Sequence, residues 1–251
     1  MSISGNWNFL LERVKKTEQE NRSLIEECEK ALQNMESVHH LTAKKYKEIE
    51  MPVLESIVHG YYRRNYYYLY SSFILGNMGF INPSQNLQRT VYETILLGYY
   101  FIVNPKEAKQ YYEVLGTKDE EKYLTRKERY GHSYIRKRIF KETTQESHKQ
   151  LYRELCYRSH PNLKGIFLDF PNYKAEEIQV VLNNILGFAY GNIQMITELF
   201  FDLLSYSEKD LIKTALKNIA VFKKFVPLYE PDSEKYASLL RFKKGNFENN
   251  L

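Results

Sequence analysis

The chain has 251 residues, 43% of them hydrophobic and 27% charged, which is enough for a large buried core. Its 7 prolines and 11 glycines are too few for a disordered or loop-built protein. The formal net charge is +5. The two cysteines, Cys28 and Cys156, are too few for a disulfide framework, and the sequence begins without a signal-peptide pattern. We therefore expect a cytoplasmic protein.

The first 50 residues predict one long amphipathic helix. Its apolar positions recur at steps of three and four residues, which is the helical period. They are Trp7, Leu10, Leu11, Val14, Leu24, Ile25, Cys28, Leu32, Met35 and Val38. Two arrangements remain open for this helix: pairing with its own copy in a homodimer, or packing back onto its own bundle.

The next helices are separated by Pro, Gly and Asn signals. The stretch at 60–70 is rich in tyrosine and belongs to a helix that is expected to end at Gly76–Gly79. Its tyrosines are distributed around the whole helix, so some of them must lie at a surface or an interface. Asn82 before Pro83 is typical of a helix cap, and Asn104 before Pro105 is expected to end one helix and begin another. Gly116 is expected to end that helix in a left-handed conformation.

The remaining sequence completes an all-α prediction. The apolar stretch at 180–204 is interrupted by amides and carboxylates, so it predicts a central buried helix and no membrane span. Ser207 with Asp210 approximates a capping pair that opens a last helix to about Val226. We therefore predict a single multi-helix bundle of about seven to nine helices, with an arm at 1–50, a core at 51–226 and a loosely ordered tail at 227–251.

Positive charge is concentrated in the segment at 121–141, which holds eight Lys or Arg residues against two Glu residues. Cations interleaved with aromatic rings suit single-stranded RNA, because they neutralise phosphates and stack on bases. The alternative is a solvated helix face whose tyrosines point inward. The candidate RNA-binding residues are Lys122, Arg126, Lys127, Arg129, Tyr130, Tyr134, Arg136, Lys137 and Arg138.

The end of the helix at 151–162 offers a catalytic constellation. His160 titrates near neutral pH, and Arg153 and Arg158 are suited to holding a phosphate. Together they could cleave RNA without a metal ion, with the 2′-hydroxyl as nucleophile. The alternative is that His160 simply ends a helix, where its charge is favoured by the helix dipole.

A second set of polar residues lies on an apolar helix. Arg89 and Glu93 are four residues apart and share a helix face. One interpretation places them in a polar pocket with His160, together with Tyr152, Ser159 and Asn162. Two alternatives are a structural ion pair and a small-molecule pocket in which Arg89 binds an anionic ligand.

The sequence lacks the motifs of nucleotide hydrolysis and of zinc catalysis. The sequence has no glycine-rich phosphate loop, no CxxC spacing and no HExxH, and His39–His40 is a bare pair. We therefore expect no metal and no cofactor.

Two of these segments resemble a known group. The pattern R-T-V-Y-E from Arg89 to Glu93, followed by Y-x-x-L-C-x-x-S-H-P from Tyr152 to Pro161, resembles a family of bacterial and archaeal helical proteins of unknown function. That family is similar to the HEPN superfamily (higher eukaryotes and prokaryotes nucleotide-binding). The resemblance implies a helical bundle, often dimeric, and a metal-independent ribonuclease in defence or stress response, with Arg153 and His160 in the HEPN spacing. Glu154 and Pro161 depart from that signature, which leaves open a non-catalytic dimeric binding or regulatory module.

Overall fold

The computed structural model describes residues 3–48, 53–120, 122, 132–140, 142–159 and 175–220. Within these ranges the chain forms eight α-helices, one 3-10 turn and no strand, which confirms the predicted all-α bundle. The helices are α1 (Ile3–Glu48), α2 (Val53–Asn77), α3 (Ile81–Val103), α4 (Pro105–Val114), α5 (His132–Ile139), α6 (Glu142–Ser159), α7 (Ala175–Phe200) and α8 (Tyr206–Ala220), with the 3-10 turn at Phe201–Leu203. The predicted tail at 227–251 lies outside the described residues.

Helix α1 packs back onto the bundle along its apolar stripe. Cys28, Met35 and Val38 are fully buried, and α1 contacts α7, α2 and α8. Asn21 interrupts the helix with φ −124° and ψ 19°, so α1 consists of two helical segments joined by a kink. The stripe from Ile25 to Val38 thus has its partner within the chain, whereas Leu11, in its first part, is 56% exposed. Pairing with a second copy stays a prediction.

The tyrosines of α2 divide between the core and the surface, as the sequence predicted. Tyr62 is fully buried and donates a hydrogen bond from its hydroxyl to the carbonyl of Met35 at 2.7 Å, which ties α2 to α1. Tyr67 and Tyr70 are 54% and 48% exposed. The buried ring supplies area and a satisfied hydroxyl, whereas the exposed ones leave an aromatic surface on α2.

The turn between α2 and α3 corrects one predicted cap. Helix α3 begins at Ile81 with Phe80 in the N-cap position, so Asn82 lies inside the first turn and is not the cap. The reason is Gly79, whose φ of 82° reverses the chain and lets the Phe80 amide donate to the carbonyl of Leu75 at 2.8 Å. The chain therefore enters α3 earlier than the Asn-Pro pair suggested.

Two other predicted boundaries are confirmed and one is displaced. Asn104 ends α3 and precedes α4, and Gly116 follows α4 with φ 74°.

The predicted pairing of Ser207 with Asp210 is wrong, because the cap of α8 lies two residues earlier. There the Ser205 amide donates to Glu208 Oε2 at 2.7 Å, and the Glu208 amide donates to Ser205 Oγ at 3.3 Å, which is a reciprocal capping box.

Helix α3 lies at the centre of the bundle. It contacts α2, α4, α5, α6 and α7, and most of its residues are buried. Helix α7 is the second buried helix, with Val181, Leu182 and Ile185 inaccessible to solvent. No described helix has a stretch long and apolar enough to cross a membrane.

Buried polar side chains join α2, α3 and α7. Gln88 Nε2 donates to Ser72 Oγ at 3.0 Å and to the carbonyl of Val181 at 2.9 Å. Asn184 Nδ2 donates to Gln88 Oε1 at 3.1 Å, and Ser84 Oγ donates to the carbonyl of Ser72 at 2.9 Å. Because buried polar groups are costly when unpaired, this network specifies how the three helices align.

Glycines allow close approach of α7 to its neighbours. A Cβ atom added at Gly76 would lie 2.7 Å from Val181 Cγ1, and one added at Gly98 would overlap Met195 Sδ. The Val181 side chain is stiff, whereas the Met195 side chain is flexible. Gly76 is therefore the position where the packing of α7 on α2 has the least tolerance for a side chain.

We predict that Gly76→Ala lowers the free energy of unfolding by about 1–3 kcal/mol, because Val181 has to shift. Gly60→Ala is the matched control on the same helix, since an added Cβ there meets nothing within 4 Å. Alanine at that position should stabilise α2 by about 0.5–1 kcal/mol. Urea unfolding followed by circular dichroism measures both, and a destabilisation of similar size in the two variants would contradict the close approach at Gly76.

Candidate functional site

The candidate site is the seam between α3 and α6, which pack against each other. His148, Tyr152 and Cys156 follow one another at intervals of four residues on α6, so they lie on one side of that helix. Arg89 and Glu93 have the same interval on α3. The packing of the two helices brings these polar faces together.

Arg89, Glu93 and Tyr152 form one connected centre in this seam. Arg89 Nε donates to Glu93 Oε1 at 3.0 Å, and the Tyr152 hydroxyl donates to the same oxygen at 3.0 Å. The guanidinium carbon of Arg89 lies 5.7 Å from the centroid of the Tyr152 ring, within cation–π range. Three of the predicted pocket residues thus meet across the seam, with Glu93 as the shared acceptor.

The centre is open to solvent. The side chains of Arg89 and Glu93 are 28% and 41% exposed. Burial alone would lower the pKa of Arg89, but the hydrogen bond and charge of Glu93 outweigh that effect and raise it. Burial and the neighbouring Glu93 carboxylate raise the pKa of Tyr152, so its hydroxyl remains a donor at neutral pH. A surface pair of this kind contributes only about 0–1 kcal/mol to stability.

A second, buried layer lies behind this centre and was missed by sequence reasoning. The Tyr92 hydroxyl shares a hydrogen bond of 2.8 Å with His148 Nδ1, and the His148 ring stacks on Phe140 at 3.7 Å. His148 is inaccessible to solvent. The available signal was the interval of four residues that places His148 on the same face of α6 as Tyr152.

Arg153 lies beside the centre and outside it. It follows Tyr152 by one residue and is exposed, on the α6 face that also carries Glu146 and Lys149. Lys149 Nζ is 2.9 Å from Glu146 Oε2. The hydrogen bond from Lys149 lowers the pKa of Glu146, and the charges of Arg153 and Arg136 add to this effect. This face of α6 is therefore rich in cations.

Four predicted residues at the end of α6 have no described side chain. Arg158 and Ser159 belong to the helix, and His160 follows it directly in the sequence. His160 and Asn162 lie outside the described residues. The predicted contact between His160 and the Arg89–Glu93 pair stays a prediction.

The basic segment is described only in part. Lys122, Lys137 and Arg138 are exposed, and the guanidinium carbon of Arg138 lies 4.6 Å from the centroid of the Tyr134 ring. Arg136 differs, because it is only 7% exposed and its Nε is buried without a hydrogen-bond partner in the described part of the chain. Among the described cations of α5, Arg136 thus faces inward, while Lys137 and Arg138 face the solvent. Outside the described residues lie Arg126, Lys127, Arg129 and Tyr130.

A histidine stack joins α1 to α2. The rings of His39 and His59 are stacked with centroids 5.0 Å apart, and Tyr46 stacks on His59 at 5.1 Å. Burial lowers the pKa of both histidines, and that of His59 falls to about 4, with the charges of His39 and Arg63 adding to the effect. Within the part of the chain that is described, no group of three His, Cys, Asp or Glu residues could hold a metal ion. The stack is thus a packing contact that favours neutral rings.

Comparisons with protein-family models, with curated proteins and with solved structures find no match. The resemblance to HEPN proteins therefore stays a prediction. What the site can do is inferred from its own geometry.

We predict that Tyr92→Phe lowers the free energy of unfolding by about 1–3 kcal/mol, because it removes the hydroxyl that pairs with the buried His148 ring. Tyr67→Phe is the matched control, since its ring is 54% exposed, and it should change stability by less than about 0.5 kcal/mol. Urea unfolding measures both variants. If the two variants lost the same free energy of unfolding, the hydrogen bond between Tyr92 and His148 would make no measurable contribution to stability.

We also predict that stability falls in acid through the histidine stack. The pKa of an unfolded histidine is about 6.5, and that of folded His59 is about 4. The unfolded chain therefore binds a proton first, so the contribution is complete above pH 6.5 and is lost as the pH falls towards 4. The expected loss is on the order of 1–3 kcal/mol in the free energy of unfolding.

Urea unfolding at a series of pH values measures this loss. His59→Gln removes the titrating ring, so the slope of stability against pH between about 4 and 6.5 should become shallower than in the wild type. An unchanged slope would assign the acid sensitivity to other groups.

Proposed function

We propose that this protein is a HEPN-like, RNA-directed protein that cleaves single-stranded RNA without a metal ion. The observation that carries the proposal is the meeting of Arg89 and Glu93 of α3 with Tyr152 of α6 in a solvent-open seam. Helix α6 ends at Ser159, directly before His160 in the sequence. In such a reaction the 2′-hydroxyl of the RNA is the nucleophile. The protein then needs only a group that moves protons and cations that stabilise the phosphate.

The proposed roles follow from residue chemistry and position. His160 transfers the proton, because its ordinary pKa is near neutral pH. Arg153 and Arg158 bind the scissile phosphate, and the exposure of Arg153 on a cation-rich face supports this role. Glu93 orients Arg89 and Tyr152, so these three residues organise the pocket.

The RNA track extends from this centre along α5. Lys137 and Arg138 are exposed on that helix, which contacts both α3 and α6. Each phosphate contact of this kind contributes affinity that decreases with salt. Binding should therefore weaken steeply as the ionic strength rises.

A second candidate function is a non-catalytic helical dimeric binding module. It is favoured by one observation, which is that Glu93 already neutralises Arg89 and accepts a bond from Tyr152. A guanidinium engaged in this way is less available to a phosphate. In this alternative the seam is a structural contact and the cationic faces bind without cutting.

We predict that the purified protein cleaves a labelled single-stranded RNA in the presence of EDTA. His160→Ala should reduce the cleavage rate by about 10²–10⁴-fold, the range expected for losing a general acid–base group. An RNA with a 2′-deoxy sugar at the cleaved position should resist, because it lacks the nucleophile. Gel analysis of the labelled fragments measures the rates.

Arg22→Ala is the control for loss of one positive charge, since Arg22 is exposed on α1 and, among the described residues, pairs with Glu26 of that helix. It should leave cleavage unchanged, while Arg153→Ala should slow it. Equal cleavage by the wild type and His160→Ala would falsify the catalytic proposal. RNA binding without cleavage, weakened by Lys137→Ala and Arg153→Ala, would favour the binding module.

A further inference from the structure

A cleft lies between the last turns of α7 and the side of α8 that carries Lys209, Ile212, Lys213 and Leu216. Its volume is about 190 Å³, equal to roughly six water molecules at about 30 Å³ each. That is smaller than the about 300–1,000 Å³ of pockets for drug-sized ligands. The cleft is lined by Tyr190, Gln194, Thr197, Glu198, Phe201, Lys209, Ile212, Lys213 and Leu216.

The α7 wall of the cleft carries hydrogen-bond acceptors. Gln194 and Glu198 are four residues apart and so share one face of α7. Gln194 Oε1 is buried without a hydrogen-bond partner, and Glu198 forms no ion pair with any described cation. Burial raises the pKa of Glu198. Gln194 Oε1 and the Glu198 carboxylate are therefore two acceptors that a cationic donor would satisfy best.

The α8 wall carries the opposite charge. Lys209 and Lys213 are also four residues apart, and neither forms an ion pair with a described carboxylate. Lys209 Nζ lies 4.2 Å from the centroid of the Phe201 ring. Both lysines line the same cleft as Glu198, yet the opposite charges are too far apart to pair directly. A ligand that carries both charges would bridge this gap.

The remaining surface of the cleft is apolar. Tyr190, Phe201, Ile212 and Leu216 contribute rings and branched chains to it. Such walls favour a ligand that also has an apolar part. A simple anion would leave the acceptors of α7 unsatisfied, and a simple amine would leave the lysines of α8 without a partner.

We propose that the cleft between α7 and α8 binds a free α-amino acid with an apolar side chain. Its ammonium group contacts Glu198 and Gln194, its carboxylate contacts Lys209 and Lys213, and its side chain lies against Tyr190 and Phe201. The site is separate from the seam between α3 and α6, so it stands independently of any action on RNA.

Isothermal titration calorimetry on the full chain tests this assignment with L-leucine and two matched analogues. 3-Methylbutylamine lacks the carboxylate, and 4-methylpentanoate lacks the ammonium group. Leucine should bind saturably, and each analogue should bind at least about tenfold more weakly, because it loses one charged contact. Methionine and phenylalanine extend the panel to other apolar side chains.

Variants assign the two charged ends. Glu198→Gln should weaken leucine and the amine but spare 4-methylpentanoate, whereas Lys213→Met should weaken leucine and 4-methylpentanoate but spare the amine. Lys217→Met is the control, since Lys217 is exposed on the same helix and does not line the cleft.

Three results would overturn the proposal: no saturable binding of any of the three amino acids, an analogue that binds as tightly as leucine, or an equal effect of Lys217→Met and Lys213→Met. The comparison of leucine with its analogues uses the wild type alone, so it decides the matter even where a variant fails to fold.

Discussion

The burial of α3 on nearly all sides is the constraint on which the rest of the structure depends. A helix in this position must be apolar around most of its circumference, and Val91, Ile95 and Leu96 meet that need. A polar residue on such a helix is stabilised where a neighbouring helix supplies a partner, because an unpaired polar group inside the fold is costly. Gln88 finds its partners on α2 and α7, while Glu93 finds one on α6. The polar residues of α3 therefore fix how its neighbours are arranged around it.

This constraint also separates a structural network from a candidate site on a single helix. Gln88 is inaccessible to solvent, and its side chain bonds to three neighbouring groups. Arg89 and Glu93 lie at the edge of the same helix, where their charged groups remain partly hydrated. A fully buried amide can only specify packing, whereas a partly hydrated charge can exchange water for a ligand. The difference in burial between Gln88 and Arg89 thus marks the boundary between the core-facing side of α3 and its solvent-accessible edge.

The sequence predicted the fold better than it predicted the site, for identifiable reasons. Periodicity located the apolar stripe of α1 and the buried α7, because burial of a helix face leaves a repeating pattern. Cap residues were less reliable. At α3 the left-handed turn at Gly79 decides where the helix begins, and this conformation overrides the suitable side chain of Asn82. At α8 the pair Ser205 and Glu208 forms the capping box, two residues before the predicted Ser207.

The site was predictable only where two residues share one helix. The four-residue interval placed Arg89 beside Glu93, and the structure shows that contact. The Tyr92–His148 bond joins residues on different helices, so nothing in the local pattern pairs them. Arg136 is a second example of a position that the local sequence does not predict. A run of charged residues predicts that each of its side chains is exposed, but the packing of α5 buries Arg136. Contacts between distant parts of the chain depend on how helices cross, and a single sequence does not specify that.

The exposure of the Arg89–Glu93 pair bears on why these residues are charged at all. An ion pair open to water contributes little to stability, since the solvent screens it and the side chains lose freedom when they are held. Apolar residues at the edge of α3 would pack against the Tyr152 ring at least as well. A guanidinium and a carboxylate that share a hydrogen-bonded tyrosine are therefore explained poorly by stability. In the function proposed above, a ligand exchanges places with Glu93 or with water at Arg89, and that exchange requires the partial exposure observed here.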